Sequence, residues 1–123
     1  MTRKPDERPT IKTLSKKREP LDIELFQNET LRPILKIKND VILEFFNSYT
    51  RHKKVNWIKK TIEKKEEFIY QNISKDHTFK NAIIHLIVGN FSLKEYVEYS
   101  SKAKEYNKRI WKMIQQRICN QLT

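Results

Sequence analysis

Residues 21–51, LDIELFQNETLRPILKIKNDVILEFFNSYTR, decide the fold. The second half predicts the main core helix, because Leu31, Ile34, Leu35, Ile37, Val41, Ile42, Phe45, Phe46 and Tyr49 recur at three- and four-residue steps. Pro33 suits a first turn, where a missing N–H costs nothing, and Asn28 or Thr30 can cap ahead of it. An apolar face this broad has to be covered by other helices. Just upstream, residues 21–26 alternate apolar and acidic, a period of two with no second strand to pair with. Three arrangements fit: extended along the helices, helical in context, or added to the edge of a partner's sheet. We expect the first, with Phe26 as a hydrophobic lead-in to the helix.

Toward the N-terminus, residues 1–20 hold three prolines, no aromatic side chain, and seven basic against three acidic residues. Such a segment buries too little apolar surface to offset its ordering entropy, so a disordered basic arm is expected ahead of one domain, 21–123. Toward the C-terminus, Thr61 is positioned to cap a helix to about Ser74 with Ile62, Lys65, Phe68, Ile69 and Ile73 inward. Asp76 caps a helix from Thr78 to Val88, whose stripe is Phe79, Ala82, Ile83, Leu86 and Ile87, and which should sit centrally. Gly89 is expected to close it in the left-handed conformation. Ser92 with Glu95 forms a capping box for the next helix. A bend near Ser100–Ser101 would separate that helix from a final stripe of Ala103, Tyr106, Ile110, Met113, Ile114 and Ile118. The expectation is an all-α domain, a compact bundle of four or five helices.

A single glycine and 33% charged residues agree with helices, since sheets and hairpins need more turn glycines. No apolar run approaches the roughly 20 residues that cross a bilayer, and the charged N-terminus offers no secretion-signal core. A lone Cys119 cannot form an internal disulfide, which suits a reducing cytoplasm. The net charge of +11 favours an anionic partner, although solvated lysines would give the same total. Positive charge falls in three blocks, 1–20, 51–75 and 100–123, at +4, +5 and +5.

The run 16–35, KKREPLDIELFQNETLRPIL, resembles one in a family of small uncharacterised bacterial proteins, some of whose members are labelled glyoxalase. The likeness continues more loosely through 91–96, FSLKEY, and 107–110, NKRI. Metal-dependent glyoxalases mount a carboxylate-and-histidine ligand set on paired βαβββ units, a succession of strands that this chain does not spell. The resemblance therefore implies a shared helical fold and transfers no activity, cofactor or catalytic residue.

The residues themselves argue against chemistry. His52, His77, His85 and Cys119 show neither i, i+4 nor CxxC spacing, so no metal or other cofactor is expected. Cys119 has no neighbouring His or glycine-rich oxyanion turn. Glu66 and Glu67 diverge by about 100° on a helix and cannot face one another as acid and base. A helix-turn-helix would need a polar second helix, whereas 82–88 is AIIHLIV.

The basic blocks carry the functional expectation. Lys104, Lys108 and Lys112 form an i, i+4, i+8 row flanked by Arg109, with Trp111 at its boundary as a ring that could stack on a base or rim the core. Lys53, Lys54, Lys59 and Lys60 would extend the row if the helices pack side by side. The reading is a non-enzymatic module contacting RNA or a ribonucleoprotein. The competing reading is a protein-interaction or structural module, with a homodimer as one form, whose lysines serve only solubility. A peripheral membrane protein is a third option.

Overall fold

The computed structural model describes residues 21–123, so the basic arm expected over 1–20 lies outside the described residues. Among the described residues there are six helices and no strand. They are α1 (21–37), α2 (Asn39–His52), α3 (62–75), α4 (His77–Val88), α5 (Leu93–Ser101) and α6 (Ala103–Leu122).

The segment expected to lie extended is helical instead: Leu21–Phe26 is the first part of α1. It continues as a wide π turn, Gln27–Leu31, and then as Arg32–Ile37. Pro33 thus sits inside a continuous helix, and neither Asn28 nor Thr30 caps it. A proline lacks the N–H and crowds the carbonyl four residues back; the widened turn just before it absorbs that clash. Asn28 accepts from Arg32 Nε at 2.9 Å, and Thr30 Oγ1 donates to Glu95 at 3.4 Å. Lys38, at φ −94° and ψ 12°, breaks the expected long helix in two.

Three predicted caps form. Thr61 Oγ1 accepts Lys64 N at 3.1 Å, and Asp76 Oδ1 accepts Phe79 N at 3.1 Å. Ser92 and Glu95 close the capping box reciprocally at 2.8 and 3.1 Å. Gly89 is right-handed at φ −62°, contrary to expectation, because Asn90 Nδ2 donates to the Leu86 carbonyl at 2.9 Å and relieves the helix end. The left-handed residue is Lys54, at φ 57°, which ends α2 in a Schellman motif. There Val55 N meets Thr50 O at 2.8 Å and Lys54 N meets Arg51 O at 3.1 Å.

The hub is α6 rather than the more apolar α4: it packs against α2, α4, α5 and the π turn Phe68–Asn72 of α3. Tyr106, Ile110, Ile114 and Ile118 of α6 are fully buried against Leu31, Leu35, Ile42, Phe46, Ile69, Ile83 and Ile87. Each such side chain contributes about 1.5–3 kcal/mol on leaving water. Ala82, expected in the stripe of α4, is exposed, as are Ile62 and Val41, while Ile84 and Val88 are buried. The bend after α5 falls at Lys102, φ −142° and ψ 47°. No helix of the described residues is long and apolar enough to cross a membrane.

Candidate functional site

Two aromatic side chains of α2, Phe45 and Tyr49, meet Phe79 of α4 at centroid distances of 5.4 and 4.4 Å. Phe79 in turn meets Trp111 of α6 at 6.4 Å, and Tyr49 meets Phe68 of α3 at 6.5 Å. Phe68 meets Trp57, in the loop between α2 and α3, at 5.8 Å. Rings from five separate stretches of chain therefore run in sequence: Trp57, Phe68, Tyr49, Phe79, Trp111. They form a ridge at the edge of the core.

Four of those five rings carry a lysine. Lys65 lies over Trp57 at 5.5 Å, Lys60 over Phe68 at 5.6 Å, Lys53 over Tyr49 at 5.9 Å, and Lys80 over Trp111 at 5.5 Å. The ring quadrupole attracts the exposed ammonium of Lys53 by about 0.5–1 kcal/mol, and those of half-buried Lys60, Lys65 and Lys80 by at least about as much. None of the four makes an ion pair among the described residues; the pairs there are Arg51–Glu44 and Lys64–Glu67, both exposed. The result is a strip of cations laid along an aromatic ridge.

Asp76 is a carboxylate beside the strip. It accepts the Tyr49 hydroxyl at 2.6 Å, and that bond, with the Phe79 backbone N–H and the nearby Lys53 ammonium, holds its carboxyl below the usual range. Burial and the same bond push Tyr49 up to about 12.

Each residue singled out from the sequence has a definite place. Lys53 and Lys60 belong to the strip, while Lys54 and Lys59 are exposed beside it. Lys104, Lys108 and Lys112 are exposed on α6. Around the helix axis Lys104 and Lys108 lie within about 60° of Trp111 and Lys112 about 100° from it. Arg109 is half-buried and donates to Gln27 Oε1 at 2.7 Å, which ties α6 to the π turn of α1. Trp111 is 6% exposed, with Nε1 donating to Ser74 Oγ at 3.3 Å, so its ring is a core group and not a free stacking platform. Burial wins because α3 and α4 both close over that side of α6.

Lys65 and Lys80 were not singled out by sequence reasoning. Lys65 sits at an inward helical position, and Lys80 lies in a nearly neutral block, 31 residues from the ring it covers. No local signal marks either. Among the described residues no three of His, Cys, Asp and Glu come together in a metal-binding group. His85 is exposed, with Nδ1 at 2.8 Å from the Asn81 carbonyl. Comparison of the chain with protein-family models, with curated proteins and with solved structures found no match.

Proposed function

We propose that this is a non-enzymatic basic module of the bacterial cytoplasm that contacts RNA or a ribonucleoprotein through its lysine-rich faces. One observation carries the reading: four lysines without ion pairs lie over rings that run in sequence along the ridge, and Lys104, Lys108 and Lys112 are exposed on α6. An array of ammoniums outside ion pairs concentrates positive potential and attracts a phosphate backbone. Arg109 and Trp111 drop out of the contact set, since one is held by Gln27 and the other is buried.

The test is the salt dependence of binding to single-stranded RNA. Replacing Lys104, Lys108 and Lys112 together by Gln should reduce the slope of log affinity against log salt by roughly two, at about 0.7 per phosphate contact. An unchanged slope, or no RNA binding by the native protein at low salt, defeats the proposal.

A second reading, a protein-interaction module, is favoured by α5. Leu93, Tyr96 and Val97 are 82, 48 and 60% exposed at i, i+3, i+4 spacing, an apolar helix face open to solvent. Concentration-dependent dimerisation abolished by Val97→Glu would support it.

A further inference from the structure

The way the cations sit on the ridge bears on what kind of nucleic acid the strip reads. Sequence-specific recognition of single strands requires a base to be splayed out, stacked on an open aromatic or guanidinium face, and hydrogen-bonded on its edge. The ridge offers little of this. Phe68, Phe79 and Trp111 are 8, 5 and 6% exposed, and the rings of Trp57, Phe68, Tyr49 and Trp111 each already hold an ammonium. What lies over the rings is a succession of ammoniums, compact charges without the planar fork that pairs with a base edge.

Resting on the RNA-binding reading, we propose that the strip recognises the phosphodiester chain of a single strand and reads neither base identity nor the ribose 2′-hydroxyl. Lys53, Lys60, Lys65 and Lys80 are its phosphate contacts. The rings beneath them act as supports that keep the ammoniums in order, not as stacking platforms.

The experiment titrates the full chain with oligouridylate, oligoadenylate and oligothymidylate of equal length at several salt concentrations. Affinities within about threefold of one another and equal salt slopes are expected, as for sequence-tolerant single-strand binders. The variant combining Lys53→Gln, Lys60→Gln, Lys65→Gln and Lys80→Gln should lose roughly three units of slope with all three ligands alike. If that variant melts without cooperativity, the four single Lys→Gln variants give the same reading at about 0.7 each. A preference of about tenfold for one base, or for RNA over DNA, overturns the inference. So does a folded quadruple variant with native slope; if Lys104, Lys108 and Lys112 still govern the slope, the RNA-binding reading survives alone. Tighter binding to anionic lipid vesicles than to any oligonucleotide assigns the strip to a membrane surface and overturns the inference. Absence of oligonucleotide binding at low salt removes both proposals.

Discussion

The hydroxyl of Tyr49, on α2, donates to Asp76 Oδ2 across 2.6 Å, while Asp76 Oδ1 accepts the Phe79 N–H at the start of α4. One carboxylate thereby caps a helix and fastens it to its neighbour, within the electrostatic reach of Lys53 of the basic strip.

That relationship fixes a pH dependence. The folded state holds the Asp76 carboxyl below its ordinary value, so its contribution is present at neutral pH and lost as pH falls through the carboxylate range. Tyr49 has the opposite sense: its hydroxyl is pushed from 10.0 to about 12, so its contribution is present below about pH 10 and lost toward 12. Asp76→Asn, which keeps the Oδ1 acceptor of the cap and replaces the Oδ2 acceptor by an uncharged amide, should flatten the acid limb of melting temperature against pH. A limb of native steepness in that variant would show that other carboxylates control it.

Gln115 is buried on α6 and donates through Nε2 to the Ile69 carbonyl at 2.9 Å and to Ser74 Oγ at 3.0 Å. Ile69 lies in the π turn of α3, where the backbone ladder is widened and the side-chain amide supplies a donor. Gln115→Leu keeps the bulk and removes the donor, at a cost of about 2–3 kcal/mol in denaturant melts. Faster amide exchange across 70–75 should accompany it. A loss below about 0.5 kcal/mol would mean that the carbonyl finds water.

Lys54 occupies the left-handed region at φ 57°, where a side chain costs about 1–2 kcal/mol relative to glycine. Lys54→Gly should therefore stabilise the domain by about 0.5–1 kcal/mol, after the extra entropy glycine gives the unfolded chain. Equal or lower stability in urea titrations would contradict the Schellman assignment.

Ile83 is fully buried in α4 between α2 and α6. Ile83→Asp places an unpaired carboxylate there and should cost several kcal/mol, enough to unfold a domain of this size. Ile83→Val, which removes one methylene, should cost only about 0.5–1.5 kcal/mol and stay folded. A cooperative melt for the Asp variant would place Ile83 outside the core.

Helical class, the three side-chain caps and most of the buried positions were legible in the sequence, because a cap or an apolar stripe depends on residues within one or two turns. The same locality explains the errors. The alternation in residues 21–26 has a strand-like period, yet Phe26 is drawn into helix by packing on Phe91 and Tyr106, at 5.4 and 4.6 Å. Gly89 looked like the left-handed stop, but Asn90 relieves the helix end and Lys54 adopts that conformation instead.

The basic face divides in the same way. Sequence alone determined that positive charge is blocked and that lysines 104, 108 and 112 share a row. Only the tertiary structure decided that Trp111 is interior, that Arg109 is committed to Gln27, and that Lys80 and Lys65 join Lys53 and Lys60 over one ridge. The physical reason is that a ring's burial and a cation's neighbours are set by which helices close over them. Those contacts join residues tens of positions apart, and the period of any one helix carries no trace of them.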